Sequence, residues 1–316
     1  MIKTYNNNIY VVMYHYVRDI KKTKFPKLKA LDIKDFKEQI NYFKSKFNIL
    51  NQDSFLEIIN SNKVPKKKSV LLTFDDGYKD HFKFAFPILK KNNISGIFYP
   101  PVLTIKNNKV LDVNKIHFLL EIEEDREKIL NEIDLLLKKI TGKYISDIDL
   151  SKINLKSRFD DKKTKLIKQL LQNFLPTEVK KKILNKIFGK IVLSDEKAFA
   201  KQLYLNKEQV LEMNNNKMFF GLHGYNHIRL EYLSVKEQKY EIENSINYFK
   251  KIGISAQNIS FCYPYGSYNR ESLSLLKKNK IKFALTTKLG TINNANISNT
   301  LEIPRYDAND FLIEHV

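Results

Sequence analysis

Short apolar runs alternate with amphipathic helical segments at both ends of this 316-residue chain. That alternation admits few folds. Strands joined through helices pair in parallel, and a parallel sheet needs cover on both faces. The pattern predicts strands near residues 9–14, 69–74, 95–99, 218–223, 259–263 and 283–287, with a last one at 301–306. Asp32 is placed to cap a helix whose apolar positions are Ile33, Phe36, Ile40, Phe43 and Phe47. Asp53 is read as the cap of a shorter helix reaching Ile59. Pro87 should kink a helix over 79–92. Ser234 and Glu237 form a capping-box pattern for a helix ending near Gly253, and a further helix is expected over 270–279. About seven βα repeats point to an α/β fold, a TIM-like (β/α) barrel, complete or incomplete.

The pattern changes between residues 112 and 216, which are rich in Lys, Glu, Leu and Ile. Leu130, Ile133, Leu137 and Ile140 keep helical spacing, as do Leu166, Leu170, Leu171 and Leu175. The expected division is a barrel of 1–111 with 217–316, interrupted by a helical insertion or cap, 112–216. The apolar stripes there read as packing rather than as a cofactor site.

The strand ends carry the chemistry. The run 69–74 stops at Asp75-Asp76-Gly77. Two adjacent carboxylates at a buried strand end are expensive unless a metal or a reaction uses them. His223 and His227 are separated by three residues, with Gly224 favouring a loop over a helix. One aspartate and two histidines make a three-ligand metal site with a position left for water, and a second carboxylate can take that water's proton. Such a site suits hydrolysis of an amide or ester. His15, Tyr265 and Arg305 also fall at or just after strand ends, where barrels of this kind build their sites. His81, His117 and His315 are not expected as ligands, and His81 reads as a surface residue.

Thr73-Phe74-Asp75-Asp76-Gly77, His223-x-x-x-His227 and Tyr263-Pro264-Tyr265-Gly266, in that order, resemble the motifs of the polysaccharide deacetylase family, also called the NodB-homology or carbohydrate esterase family 4. The resemblance covers the strands outside 112–216. It implies a distorted TIM-like (β/α) barrel and a metal-dependent hydrolase that removes an N-acetyl or other N-acyl group from an amino sugar. Carried over by position, Asp75 would be the catalytic base. Asp76, His223 and His227 would bind a divalent metal, commonly zinc, with cobalt or nickel as alternatives. The backbone N–H of Tyr265 would stabilise the oxyanion.

Three departures stand out. Gly224 replaces the usual Ser or Thr that braces the histidine loop. Cys262 stands where an Arg usually holds the catalytic Asp, and Arg305 is the candidate replacement. No His follows Leu285, where the family usually brings its general acid. The segment Val12-Met13-Tyr14-His15-Tyr16 resembles the first strand of branches acting on poly-N-acetylglucosamine, so His15 is the expected acid. These departures keep two other readings open: a weakly active or inactive metal-binding glycan-recognition or assembly protein, and a deformylase or non-sugar amidase.

The net charge of +20 raises the question of anionic partners. Its lysines read as spread along helical faces without arginine-aromatic clusters, so no specific nucleic acid is expected; an AT-rich genome would produce the same excess. Peripheral association with an anionic membrane and a nucleotide- or lipid-linked sugar substrate remain open. A single cysteine, Cys262, excludes an intrachain disulfide. Residues 1–8 lack the apolar core of a signal peptide, and no run spans a bilayer, so a cytoplasmic location, including the inner membrane face, is expected.

Overall fold

A computed structural model describes residues 3–149, 151, 160–192 and 195–311. Its strands are β1 (Ile9–Tyr14), β2 (Val17–Arg18), β3 (Leu31–Asp32), β4 (Asn48–Leu50), β5 (Ser69–Asp75), β6 (Ile97–Tyr99), β7 (Phe219–Phe220), β8 (Phe261–Cys262), β9 (Ala284–Leu285) and β10 (Tyr306–Asp307). The main sheet runs β10-β1-β5-β6-β7, all parallel, with β4 against the first residues of β5. A parallel bridge from Leu222 to Phe261 leads on to the β8-β9 pair, and another from Leu285 to Ile303 leads to the residues before β10. The ring β1-β5-β6-β7-β8-β9-β10 therefore closes. It is a TIM-like barrel distorted by the two-residue strands on its later side.

Period-two alternation divides the core. Ile9, Val11, Leu71, Ile97, Tyr99, Cys262, Leu285 and Ile303 form one apolar cluster, in which side chains from around the ring meet. Val12, Tyr14, Leu72, Phe74, Phe98 and Phe220 belong to another, shared with the helix residues Phe36, Ile40 and Phe43. Every residue of β5 is buried, which is why its sequence reads as a continuous apolar run. Asp75 shares its side of β5 with Thr73 and Leu71, two and four residues earlier.

The helix Ile33–Lys46 is capped by Asp32, and Val235–Lys251 by the Ser234–Glu237 box. The cap of Gln52–Ser61 is Asn51, boxed with Ser54; Asp53 is an exposed residue of its first turn. The reading of Asp53 as cap misses because Asn51 lies three residues before a reciprocating side chain. The segment around Pro87 forms a π-helical turn, His81–Ala85, continued by the helix Phe86–Lys91.

By contacts the chain divides into two units: 1–22 with 29–109 and 200–316, and 23–28 with 110–199. As a proposed domain division this moves 200–216 from the insertion to the barrel. Val210 and Met213, on the helix Lys207–Asn215, are buried in the same cluster as Phe220. Conversely, Phe25 packs on Phe118 and Phe199. In the second unit, Ile133, Leu137, Leu170, Leu171 and Leu175 are buried in one cluster, with Leu130, Ile140 and Leu166 partly buried against it. Among the described residues, no helix is long and apolar enough to cross a membrane.

Candidate metal centre

Asp75 ends β5, and the chain turns at once. Asp76 and Gly77 both take positive φ, +68° and +66°. This turn separates the two carboxylates, which then meet different partners. Arg305 donates from Nη1 to Asp75 Oδ1 (2.9 Å) and from Nη2 to Oδ2 (2.8 Å), while its Nε donates to the Thr286 carbonyl (2.8 Å). The pair is buried, with side chains 1% and 3% exposed. The fork geometry gives two charge-assisted bonds, and each buried charge is thereby compensated. Burial alone would raise the Asp75 pKa; Arg305, followed by His223, brings it down to about 2. Cys262 adds a thiol contact, with Sγ 3.4 Å from Asp75 Oδ2 and 3.1 Å from Arg305 Nη2.

Asp76 Oδ1 lies 3.4 Å from His223 Nε2 and 3.3 Å from His227 Nε2. Its other oxygen accepts the Tyr78 hydroxyl at 2.6 Å. His223 Nδ1 lies 2.7 Å from the Cys262 carbonyl. An N–H there leaves Nε2 with a lone pair aimed at the cluster, the usual orientation for a metal-binding imidazole. Burial would raise the Asp76 pKa, but the two histidines hold it well below the carboxylate range. The donor atoms of Asp76, His223 and His227 lie within 4.8 Å of one another. One carboxylate and two imidazoles, all buried and with two ligands already oriented by outer partners, fit a divalent ion of the zinc type. Asp75, His223 and Cys262 are also within that span, but the Arg305 guanidinium on Asp75 opposes a second cation there.

The histidine loop is non-helical, as Gly224 suggests. Its brace is a residue not recognised from the sequence. Glu241, on the helix Val235–Lys251, accepts from the Tyr225 and Asn226 backbone N–H groups (both 2.8 Å) and from Asn226 Nδ2 (2.6 Å). Gly224 has φ +71°, and a Cβ there would stand 3.0 Å from Glu241 Oε2. The missing hydroxyl of the motif and the buried carboxylate are two sides of one arrangement. A signal existed: Glu241 falls on the same buried helix stripe as Ile242 and Phe249. His227 and Tyr265 also have positive φ, +57° and +58°, and their rings meet at 4.8 Å. Three non-glycine residues, counting Asp76, thus hold left-handed backbone in one site, at about 1 kcal/mol or more each.

His15 follows β1, half-buried, and interacts electrostatically with both aspartates. Its carbonyl is 2.7 Å from His81 Nε2. His81 is fully buried, contrary to the surface placement expected, and burial lowers its pKa to about 4. His117 lies half-buried in the helix Asp112–Ile122 and joins neither metal-capable cluster. His315 is outside the described residues.

The model of one protein family, polysaccharide deacetylase, matches residues 62–118 and 156–284, more than half of the chain. The chain belongs to the polysaccharide deacetylase family. The matched ranges enter the helical segment from both sides and leave 119–155 between them. YxkH of Bacillus subtilis, assigned to the same family, is 28% identical over 90 residues, which are 28% of this chain and 30% of that protein. Several solved structures share the deacetylase fold, two of them as follows. PplD of Streptococcus pyogenes, in complex with acetate, aligns at TM-score 0.56 and 19% identity, over 96% of this chain and 93% of its own. IcaB of Ammonifex degensii aligns at 0.53 and 15%, over 95% and 91%.

Proposed function

We propose that this chain is a metal-dependent hydrolase that removes the N-acetyl group from an amino sugar of a glycan or glycan precursor. The observation that carries the reading is a buried Asp76–His223–His227 cluster beside an Asp75 clamped by Arg305. A divalent ion, zinc before cobalt or nickel, would acidify water and polarise the amide carbonyl. Asp76, His223 and His227 would hold it. Asp75 is kept ionised by Arg305 and takes the proton of the attacking water on a carboxylate oxygen. With a pKa of about 2 it keeps that proton poorly, which favours passing it on. His15 supplies a proton to the departing amine nitrogen. The backbone N–H of Tyr265 donates to the oxygen that becomes negative. Acetyl is favoured by PplD, whose solved complex contains acetate. A purely binding protein would need Asp76 and the histidines alone, so the Arg305–Asp75 pair supports catalysis.

The test is amine release from a panel of N-acetylated and N-formylated substrates, both glycan oligomers and nucleotide- or lipid-linked sugars. Each is assayed after chelation and again with zinc, cobalt or nickel restored. Asp75→Asn and His15→Ala should lower turnover by roughly 10²–10⁴-fold while retaining metal. Stoichiometric metal with no release from any substrate would favour the recognition protein instead.

A further inference from the structure

The lysines are not spread evenly. In a parallel barrel the strand starts and the ends of the preceding helices share one face, opposite the strand ends that carry Asp75, Asp76 and His223. Eight segments of the barrel unit build that face: 3–8, 44–51, 60–69, 90–97, 213–219, 247–261, 277–283 and 291–300. Backbone and side-chain bonds join them laterally. Asn7 bonds to Lys66, Asn48 to Lys68, Lys44 to Asn92, Phe219 to Gly96, Lys282 to Ile259, and Val64 to Asn294.

All 35 aspartates and glutamates of the chain lie outside these eight segments. Within them Lys3, Lys44, Lys46, Lys63, Lys66 and Lys67 are exposed, and so are the paired lysines that close three helices, 90–91, 250–251 and 277–278, with Lys217, Lys280 and Lys282. None contains an arginine. Helix dipoles favour lysine at the helix ends, but Lys3, Lys66, Lys67 and Lys282 stand in strand-leading segments. A codon bias toward lysine does not remove carboxylates. Tyr5 adds an aromatic ring, 54% exposed, at the same face.

We propose that this lysine-rich end of the barrel, bordered by Glu212 in the last turn of Lys207–Asn215 and by Glu302, is a docking surface for a bilayer rich in anionic lipid. A broad field of flexible point charges suits a plane of headgroups, whereas reading a nucleic acid calls for arginine forks or stacked aromatics. An interfacial tyrosine fits the headgroup layer. Docked by this end, the barrel turns its metal centre away from the bilayer, toward a glycan outside the headgroup layer. The proposal is independent of the chemistry proposed above, because its test reads binding alone.

The full chain is sedimented with phosphatidylcholine vesicles, with and without about one-third phosphatidylglycerol. Binding should require the anionic lipid and fall at least tenfold at about 0.5 M salt, where screening is short-ranged. Lys66→Glu, Lys67→Glu, Lys277→Glu and Lys278→Glu combined should lower binding at least tenfold, with circular dichroism unchanged. A control set on the helical unit, Lys162→Glu, Lys181→Glu, Lys182→Glu and Lys186→Glu, makes the same change in net charge and should retain most of it. Equal binding to neutral vesicles overturns the proposal. So does equal loss in both variants, or tighter binding to duplex DNA than to the anionic vesicles.

Discussion

Asp75 and Asp76 are neighbours in sequence with the same chemistry, yet the fold gives them different environments. Arg305 occupies both oxygens of one, while two imidazoles and a phenol surround the other. If Asp75 is the base, its acid limb lies near pH 2, below any useful assay range. Arg305→Lys keeps the charge but removes the fork. Weaker pairing leaves burial less opposed, so the Asp75 pKa rises and the acid limb of the pH–rate profile should move up, with turnover lowered roughly 10–100-fold. An unchanged profile would remove Arg305 from the mechanism. His81 makes a separate prediction. Its folded pKa of about 4 lies below the unfolded value near 6.5. Between those values the unfolded chain binds the extra proton, so His81 contributes destabilisation that grows as pH falls through this window. His81→Gln retains a donor for the His15 carbonyl and should flatten the stability–pH curve there, by up to about 1.4 kcal/mol per pH unit. Urea titrations at pH 5 and 7 would measure it.

At the scale of elements, the site rests on loops that neighbouring helices brace. The helix Val235–Lys251 supplies Glu241, whose carboxylate gathers three N–H donors from the loop between His223 and His227. Glu241→Gln replaces one acceptor oxygen by an NH2 group facing those donors. Zinc affinity should fall about 10–100-fold by calorimetric titration, and stability by about 1–3 kcal/mol. Retained affinity with lowered stability would make Glu241 a packing residue only. The stretch around Pro87 illustrates a different lesson. Proline lacks a donor, which predicts a kink. The chain widens into a π turn upstream, where Phe86 donates to the His81 carbonyl five residues back.

For the whole molecule, the charge asymmetry and the candidate metal centre sit at opposite ends of the barrel unit. An ion held there as proposed would bind the folded chain and not the unfolded one. Chelation should therefore lower the Tm, and restoring zinc to about 100 times its Kd should return roughly 2.7 kcal/mol of stability; calorimetry with and without metal would show it. Periodicity and strand-end chemistry sufficed to read the parallel barrel and the loop character of the histidine segment, because alternation and spacing are local properties that a linear chain displays; the family was legible as a resemblance of three motifs. Arg305 is legible as a partner for Asp75, 230 residues away, because the motif position that usually supplies the arginine holds Cys262; the two-bonded fork it makes, and Glu241 beneath Gly224, are not. Those contacts, the packing of Val210 and Met213 with Phe220 and the burial of His81 depend on which surfaces meet after folding. So does the lysine face. Its segments are scattered along the sequence, and only the parallel closure of the strands brings every helix end and strand start to one side, where their charges add.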